Sequence, residues 1–398
     1  MRRAIGFTPP PVMTLDDLRT LPLLTASDIR ERKTDLMSES VPEHARHFDF
    51  TGGTTSTHTS FARDDECRVA RFGRQWGILQ HLGYSPGDRR GLIWGSHADL
   101  GDDSAAFRAK RWLRRFASAD EAICCTVMSR DDMLAYHRRL RVFRPRVLYG
   151  YPNAIEQFAT FILGERLDPI TVSRVFCTAE RLTERQRVLF QRVFDGEVFN
   201  LYCSREHGCV AFECSAHRGF HVDTGSVIVE ILRDGRPAKS GESGEIVITD
   251  LLNTAMPFIR HATGDRGTFS AEACGCGCAL PTIHGLDGRI SDMLYLPDGR
   301  CIAGVMLPDL FMDIPELTHA QFIQQTITSL DVNIVVKPGT SPEIRNRLLP
   351  EIRSIVGDEI AISIHFVADI PRNPRSGKYQ EVICRIQPSS GAPGALVV

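Results

Sequence analysis

The stretch VSRVFCTAERLTERQRVLFQRVFDGEVFNLY, residues 172–202, decides the fold class of this chain of 398 residues. It begins with a buried apolar strand, continues with a helix of amphipathic spacing and ends in a second strand. Another strand and helix come directly before it. The five elements are predicted at 146–152, 154–163, 172–178, 184–194 and 198–202. Because such alternation is typical of βαβ units, we expect an α/β fold with a largely parallel sheet.

The chain on both sides of these units carries further periodic segments. Towards the N-terminus we predict helices at 15–24, 29–37, 64–83, 105–116 and 133–143, and a strand at 91–95. Residues 220–270 indicate antiparallel strands with tight turns, which form a small β-subdomain. A compact α/β unit follows, with elements predicted at 333–337 (strand), 342–356 (helix) and 360–367 (strand). We therefore expect a large N-terminal domain, 1–288, and a small mobile C-terminal domain, 289–398.

Two details of the helical segments can be tested directly. The helix at 64–83 has an apolar face at helical spacing, formed by Val69, Phe72, Trp76, Leu79 and Leu82. Near the N-terminus, the run Thr25-Ala-Ser-Asp28 predicts an N-cap for the following helix.

The composition limits the classes of function. A net charge of −2 argues against a protein that holds nucleic acid by bulk electrostatics. No apolar run approaches the roughly 20 residues that span a bilayer, and the first residues lack the apolar segment of a secretory signal. Twelve cysteines suggest reduced thiols or a metal site, so we expect a cytoplasmic protein without a nucleic-acid or membrane partner. The basic run 108–115 indicates a solvated helix face or, alternatively, a docking face for an acidic partner or cofactor phosphates.

Residues 50–60, FTGGTTSTHTS, form a loop rich in glycine and hydroxyl side chains. Glycine lets a backbone turn and approach a ligand closely, so backbone N–H groups and hydroxyls can surround a phosphate. The loop lacks the Gly-Lys-Ser/Thr ending of the nucleotide P-loop. A phosphate site and a flexible polar turn are both compatible with this segment.

Seven short motifs follow one another along the chain. They are Gly52-Gly-Thr-Thr55, Tyr149-Gly-Tyr-Pro152, Thr178–Thr183, Leu201–Glu206, Thr249–Asp265, Gly288-Arg289 and Ile370–Lys378. In this order they resemble the adenylate-forming (AMP-forming) superfamily, and within it the phenylacetate–CoA ligase-like branch. The resemblance covers roughly residues 15–385. It implies the acyl-adenylating fold of that superfamily, in which the small mobile C-terminal α/β domain carries the catalytic lysine.

The resemblance implies which residues bind the nucleotide. The residues that would hold the β- and γ-phosphates of ATP are Gly52, Gly53, Thr54, Thr55 and Ser56. Tyr202 would lie against the adenine, and Ala179 and Glu180 would also contact the nucleotide. Asp265 would accept hydrogen bonds from both ribose hydroxyls.

The resemblance also implies the catalytic groups. Glu206 would bind the Mg²⁺ that bridges the phosphates, and Lys378 would bridge the α-phosphate and the substrate carboxylate in the transition state. Arg289 would open the hinge between the two domains. These residue types suit the reaction, because attack on the α-phosphorus places negative charge where a metal ion and a mobile cation can stabilise it.

The implied activity is ATP-dependent conversion of a carboxylic acid to an acyl-adenylate with release of pyrophosphate, followed by acyl transfer to CoA. Tyr151, His207 and Gly208 would line the acid pocket, and the character of the first two side chains suggests an aromatic acid. One alternative acceptor is an amine, hydroxyl or carrier-protein thiol, giving an amide, ester or heterocycle in a natural-product pathway. A second alternative is a non-catalytic nucleotide-binding regulator. A homodimer is also compatible with the sequence.

The chain departs from its relatives' pattern in three places. Thr57-His58 stands where the phosphate loop often carries a lysine. Ser291 replaces the first of two adjacent acids in the hinge motif, so that only Asp292 is kept. Leu296–Cys301 replaces a Gly-Val-Asn-like stretch after the hinge. These departures suggest a divergent branch and leave the acyl acceptor undecided.

Cysteines and histidines form a second group of interest. The run Cys214-x₂-His217-x₃-His221 and the run Cys274-x-Cys276-x-Cys278 together can supply a closed, structural tetrahedral zinc site. In similar proteins the motif before Leu-Pro has an arginine where this chain has Cys278. Our preferred ligands are therefore Cys214, His221, Cys274 and Cys276. His217 or Cys278 could replace one of them, and a loop of unliganded thiols is the alternative.

Overall fold

The described part of the chain comprises most of the predicted elements. The computed structural model describes residues 14–50, 60–94, 119–124, 128–179, 182–270, 272–286, 293–298, 301–303, 314, 316–370 and 382–386. The helix predicted at 105–116, the basic run and the tail from Pro388 lie outside these residues.

The longer helices lie where the sequence predicts them. The described helices are α1 Leu15–Arg19, α2 Ala26–Glu31, α3 Lys33–Leu36, α4 Asp65–His81, α5 Arg130–Phe143, α6 Pro152–Gly164, α7 Glu184–Phe194 and α8 Arg345–Val356. Helix α7 begins at its predicted residue because Thr183 and Gln186 form a capping box. No helix in the described ranges is both long and apolar enough to cross a bilayer.

The prediction of two continuous N-terminal helices at 15–24 and 29–37 is wrong. The segment instead forms α1, α2 and α3, each no longer than 6 residues. Pro22 explains the first ending, because the residue before a proline avoids the helical region. The predicted cap at Thr25 is confirmed, since its side chain accepts a hydrogen bond from the backbone N–H of Asp28.

Helix α4 has the predicted extent but only part of the predicted buried face. Leu79 is 2% exposed, whereas Val69 and Phe72 are 71% and 64% exposed. The buried face instead includes Cys67 and Arg71, which lie one turn apart. The apolar periodicity therefore gave the helix correctly and its orientation only in part.

Twenty strands are described in the structure. They are β1 His47–Phe50, β2 Ser60–Arg63, β3 Arg90–Trp94, β4 Asp120–Cys124, β5 Val147–Gly150, β6 Arg174–Thr178, β7 Glu197–Ser204, β8 Gly208–Glu213, β9 Phe220–Val222, β10 Val227–Arg233, β11 Arg236–Pro237, β12 Ser243–Asp250, β13 His261–Ser270, β14 Thr282–His284, β15 Met293–Tyr295, β16 Cys301–Ala303, β17 Leu317–Thr326, β18 Ser329–Val336, β19 Ala361–Phe366 and β20 Val382–Cys384. Strands β1 and β2 pair antiparallel and flank the loop of residues 51–59.

The chain divides into two compact units, each built from separate segments. The first unit comprises 1–52, 58–82 and 201–289, and the second comprises 53–57, 83–200 and 290–398. One switch between the units, at 289/290, lies next to the predicted domain boundary. The division into domains 1–288 and 289–398 stays a prediction.

The first unit contains an antiparallel sheet. Its strand order is β11-β10-β12-β13-β14-β9-β8-β7, the last represented by residues 201–204. The predicted antiparallel segment at 220–270 is thus confirmed, and it continues into the β7–β8 hairpin. Its core is aliphatic, with Val210, Ile231, Ile246 and Ile283 at most 2% exposed. This sheet carries the candidate residues on β7, β8, β9 and β13.

The second unit contains the predicted parallel strands, in the order β4-β3-β5-β6. Their connections include α5 and α6, which pack with α7 in one hydrophobic cluster. Gly150 is required where β5 passes β3, because a Cβ atom there would lie 2.5 Å from the carbonyl oxygen of Ile93. The α/β fold class with parallel βαβ units is confirmed.

Residues 290–398 of the second unit include a smaller sheet with the order β19-β18-β17-β20. The strand predicted at 333–337 is the end of a longer strand, β18, which forms an antiparallel hairpin with the unpredicted β17. Helix α8 packs its buried residues Leu348 and Ile352 into the same cluster as Phe322 and Val332. The predicted α/β character of this segment is therefore confirmed, and its sheet has two strands, β17 and β20, more than expected.

Candidate active site and metal centre

The turn between β7 and β8 carries Glu206. Ser204 ends β7 and Gly208 begins β8, and the backbone N–H of His207 donates to Ser204 Oγ at 3.1 Å. Gly208 has φ +74, a conformation that side chains other than glycine's rarely adopt. The Glu206 carboxylate is half-buried and makes no hydrogen bond or ion pair within the described part of the chain. It is therefore available to a ligand.

Tyr202 and Asp265 meet through their side chains. The Tyr202 hydroxyl donates to Asp265 Oδ2 at 2.8 Å, and both residues are half-buried. The Asp265 backbone is held in turn, because its N–H donates to Thr263 Oγ1 at 3.1 Å. The structure thus brings together two residues that the sequence assigns to the nucleotide, Tyr202 on the strand β7 that leads to the Glu206 turn and Asp265 on β13.

A buried polar network lies directly behind this turn. Arg71 of α4 donates to the carbonyl oxygens of Arg205 and Glu206 and forms an ion pair with Asp250. His207 Nδ1 lies 3.6 Å from the same carboxylate, and His207 Nε2 is 2.9 Å from His261 Nδ1.

Burial explains the electrostatics of this network. The Asp250 side chain is 0% exposed, and this burial raises its pKa. The contacts with His207 and the charge of Arg71 outweigh burial, so the net effect is a lowered pKa for Asp250. The carboxylate is therefore ionised and paired at neutral pH.

His207 is buried rather than open to solvent. Its side chain is 1% exposed and packs edge-to-face against Phe258, with ring centroids 5.4 Å apart. The contact of His207 and Gly208 with an acid substrate stays a prediction.

The strand ends of the second unit carry the other predicted substrate and nucleotide residues. Tyr151, directly after β5, is 8% exposed and stacks on Trp94 at the end of β3, with centroids 4.8 Å apart. After β6, Ala179 is exposed and has φ +67, which is uncommon for a residue with a Cβ atom. The Thr178 hydroxyl before it is buried and has no hydrogen-bond partner within the described part of the chain. Ligands bind at such carboxyl ends of parallel strands.

The four preferred zinc ligands lie together in the first unit. Cys214 follows β8, His221 lies in β9, and Cys274 and Cys276 lie in the loop before β14. Their ligand atoms are all within 4.8 Å of one another. The two sulfurs of Cys214 and Cys274 are 3.6 Å apart, and Cys276 Sγ is 3.3 Å from His221 Nε2.

These spacings fit a tetrahedral zinc ion. Two Zn–S bonds of about 2.3 Å at the tetrahedral angle place their sulfurs about 3.8 Å apart, and a Zn–N bond shortens the edge slightly. His221 Nδ1 is 3.2 Å from the carbonyl oxygen of Leu280, the arrangement that orients a metal-bound imidazole. The N–H of Cys276 lowers the pKa of the Cys274 thiol to about 7, which favours the thiolate form.

The two alternative ligands lie beside this cluster. His217 Nδ1 is 3.5 Å from Glu213 Oε2, and its backbone φ of +49 turns the chain before β9. The backbone N–H of Cys278 donates to Cys276 Sγ at 3.4 Å. Cys278 therefore supports a sulfur ligand through its backbone, and the geometry favours the preferred set.

Several predicted site residues lie outside the described residues. They are Gly52, Gly53, Thr54, Thr55, Ser56, Glu180, Arg289 and Lys378. Thr57-His58 and Ser291 lie outside them as well. The roles implied for all of these residues stay predictions.

Comparison with known proteins covers nearly the whole chain. Phenylacetate-coenzyme A ligase of Thermus thermophilus is 24% identical over 381 residues, which is 90% of this chain and 80% of that enzyme. The Escherichia coli enzyme of the same name is 24% identical over 398 residues, 93% of this chain and 86% of that enzyme. The solved structure of a 2-hydroxyisobutyryl-CoA ligase in complex with 2-HIB-AMP and CoA has the same fold, with TM-score 0.63 and 17% identity over 96% of this chain and 84% of that one.

Over most of its length the chain is thus similar to phenylacetate-coenzyme A ligases, and it shares the fold of an acyl-CoA ligase. A second relationship concerns the C-terminal segment, because residues 294–385 match the CapK C-terminal domain. Protein CapK from Staphylococcus aureus is 23% identical over 259 residues, 62% of this chain. The chain spans 55% of the length of CapK.

The motifs gave no role to Arg71, Asp250, His261 or Trp94, although Asp250 and His261 lie inside the motif Thr249–Asp265. The sequence could have indicated that Arg71 is buried, since it lies on the same face of α4 as Cys67 and Ile78. It could also have indicated Trp94, because this residue lies near the end of a predicted strand of the parallel sheet. The contacts of Asp250 and His261 join segments distant in sequence and have no local signal.

Proposed function

We propose that this protein activates a carboxylic acid with ATP, releases pyrophosphate, and transfers the acyl group from the adenylate to CoA. The hydrogen bond from Tyr202, on the strand β7 that leads to the Glu206 carboxylate, to Asp265 on β13 carries the proposal, since Glu206 has no partner among the described residues. These side chains offer a ring for the adenine, a carboxylate for the ribose and a carboxylate for a cation. The named relatives that span most of the chain are CoA ligases, which supports the same acceptor.

The chemistry of Glu206 fits the proposed magnesium site. Mg²⁺ is commonly held in proteins by one or two carboxylates together with substrate phosphates and waters. Bound there, the ion would supply charge neutralisation at the phosphates. Lys378 would contribute a compact positive charge on a flexible stem where the acid attacks the α-phosphorus.

We further propose an aromatic acid as the substrate. The stacked pair of Trp94 and Tyr151 provides aromatic surface at the carboxyl ends of neighbouring parallel strands. The buried hydroxyl of Thr178, which has no partner among the described residues, could donate to a ligand there. Flat apolar walls with few polar groups favour a planar ring.

The proposed structural metal is zinc, bound by Cys214, His221, Cys274 and Cys276. A closed set of three thiolates and one imidazole is typical of structural rather than catalytic zinc. Metal analysis of the purified protein should give one zinc per chain. Absence of stoichiometric zinc after purification without chelators would remove the site.

Carboxylate-dependent exchange of pyrophosphate into ATP tests the adenylation step. We expect exchange with at least one member of a panel of aromatic acids, and aliphatic acids of similar size serve as the comparison. The substitution Lys378→Ala should lower the rate about 100-fold or more, because it removes a cation placed where transition-state charge develops. Lys337→Ala, directly after β18, is a matched control and should leave the rate unchanged. Absence of exchange with every acid would favour the non-catalytic regulator.

The alternative that the sequence leaves beside CoA is another acyl acceptor. The C-terminal residues 294–385 match the CapK C-terminal domain, a name that specifies no acceptor. Mass spectrometry of the products with and without CoA distinguishes the two. Acyl-CoA should form only when CoA is present, whereas multiple turnovers of the acid without CoA would favour an amine, hydroxyl or carrier-protein thiol.

A further inference from the structure

The side chain of Arg71 holds the backbone of the Glu206 turn. Its Nη1 donates to the carbonyl oxygen of Arg205 at 3.4 Å, and its Nη2 donates to the carbonyl oxygen of Glu206. The Arg71 side chain is only 8% exposed. Its fork of donors therefore fixes two successive peptide oxygens in a place from which water is largely excluded.

Asp250 anchors this arginine. Its carboxylate is completely buried and pairs with Arg71 Nη2 through Oδ2. The other oxygen, Oδ1, accepts from the backbone N–H groups of Leu252 at 2.8 Å and Asn253 at 3.2 Å. Because both carboxylate oxygens of Asp250 have partners, its position is fixed. Its ion pair therefore fixes the position of Arg71, whether or not the turn moves.

We propose that Arg71 is a positioning residue for the cation site, which holds the 205–206 backbone so that the Glu206 carboxylate is oriented before Mg²⁺·ATP arrives. This inference rests on the proposed role of Glu206 in binding magnesium. Ordering a free turn at the moment of binding would weaken affinity, and a turn ordered during folding avoids that loss. Arg71 itself does not touch substrate in this proposal.

Arg74 provides a matched control on the same helix. It also pairs with a nearly buried carboxylate, Asp223, whose side chain is 1% exposed. Among the described residues, however, the Arg74 guanidinium bonds to Asp223 and not to residues 205–208. The substitutions Arg71→Met and Arg74→Met therefore each leave one buried carboxylate without its arginine, and only the first removes the donors to the turn.

Two measurements on the full-length chain test the proposal. Hydrogen–deuterium exchange, read by mass spectrometry, reports on the amides of 203–210 without requiring activity. The second measurement is the Mg²⁺ concentration for half-maximal ATP–pyrophosphate exchange. We expect Arg71→Met to speed amide exchange at 203–210. It should also raise the Mg²⁺ concentration for half-maximal exchange, the Mg²⁺ constant, about 5- to 30-fold, because that factor corresponds to the free energy of ordering one residue. Arg74→Met should change neither.

A second variant covers the case in which Arg71→Met does not fold. Arg71→Lys keeps a positive charge beside Asp250 but lacks the planar fork that reaches both carbonyl oxygens. It should therefore fold and still show faster amide exchange at the turn and a raised Mg²⁺ constant.

The outcomes separate this inference from the proposed function. Unchanged amide exchange in Arg71→Lys, an equal effect in Arg74→Met, or an unchanged Mg²⁺ concentration for half-maximal exchange would each overturn the positioning role.

If wild type exchanges no pyrophosphate with any acid, the proposed function fails. Calorimetric binding of ATP with and without Mg²⁺ then replaces the kinetic constant. Equal ATP binding with and without Mg²⁺ in the wild type would also overturn the positioning role.

Discussion

At the scale of single residues, the contact between Tyr202 and Asp265 joins strands that are not neighbours. Three strands, β14, β9 and β8, separate β13 from β7 in the sheet order of the first unit. Backbone pairing therefore does not account for this contact, which the side chains of Tyr202 and Asp265 make. The Tyr202 hydroxyl fixes the Asp265 carboxylate, to which we assign the ribose.

Tyr202→Phe should weaken ATP binding about 3- to 10-fold, because it keeps the ring and removes one hydrogen bond to a half-buried carboxylate. Isothermal titration calorimetry of ATP measures the dissociation constant. Tyr84→Phe is the control, since it removes the same hydroxyl from a hydrogen bond to the carbonyl oxygen of Asp88 in the second unit. Unchanged affinity in Tyr202→Phe would contradict the assigned position of the nucleotide.

Asp250→Asn should destabilise the fold by about 3 kcal/mol near pH 7, because it leaves the buried Arg71 without its counter-charge. The folded-state pKa of Asp250 is lowered, so the ionised group stabilises the fold above its unfolded pKa of about 3.9. This contribution is lost as the pH falls through the folded-state value. The difference in melting temperature between wild type and variant should therefore be largest near neutrality and narrow below about pH 4.

Asp358→Asn serves as the control for this pH series, since its side chain is 93% exposed. Its melting temperature should follow the wild type at every pH. A constant difference between Asp250→Asn and wild type from pH 7 to pH 3 would show that the carboxylate's charge is not what stabilises this region.

At the scale of elements, the cysteine–histidine cluster links the end of β8, the short strand β9 and the loop that precedes β14. Strands β9 and β14 pair over only two residue positions, Thr282 with His221 and Ile283 with Phe220. Short strands of this kind contribute few ladder hydrogen bonds. A bound metal ion would therefore contribute much of the local stability, as in other small metal-supported segments.

Cys276→Ser should abolish stoichiometric zinc and lower the melting temperature, and a strong chelator should lower the wild-type melting temperature in the same way. Cys278→Ser is the matched control two residues away, because Cys278 contacts the cluster through its backbone N–H. It should retain one zinc per chain, as measured by plasma mass spectrometry. Equal zinc loss in both variants would contradict the assigned ligand set.

At the scale of the whole molecule, the sequence implies that the C-terminal part moves against the rest during the reaction. Arg289, which we assign to the hinge, lies next to the switch between the compact units at 289/290. A hinge residue must change its backbone angles between two arrangements. Adenylation and acyl transfer would then need different arrangements of one chain.

Arg289→Pro should separate the two half-reactions, because proline fixes φ near −65°. We expect pyrophosphate exchange to stay within about threefold of wild type and acyl-CoA formation to fall more than about tenfold. Arg289→Ala is the control, since it removes the side chain and keeps backbone freedom. Equal rates of acyl-CoA formation in the proline and alanine variants would contradict a hinge at this residue.

The sequence by itself determined the βαβ units, the resemblance to adenylate-forming enzymes and the group of zinc-ligand candidates. Each of these follows from a local sequence pattern. The patterns are the apolar spacing along 146–202, the short motifs in a fixed order, and the cysteines and histidines two to four residues apart. The capping residues Thr25 and Thr183 likewise act within one helical turn. Local signals of this kind need no knowledge of which segments meet.

Only the tertiary structure decided which distant residues share a site. Apolar periodicity placed Val69 and Phe72 on the buried face of α4, whereas the fold exposes them and buries Arg71. Arg71 is tolerated there because Asp250, 179 residues further along the chain, supplies the compensating charge. No local pattern encodes such a pairing. The support of the Glu206 turn therefore became visible only once the helix and the sheet were packed together.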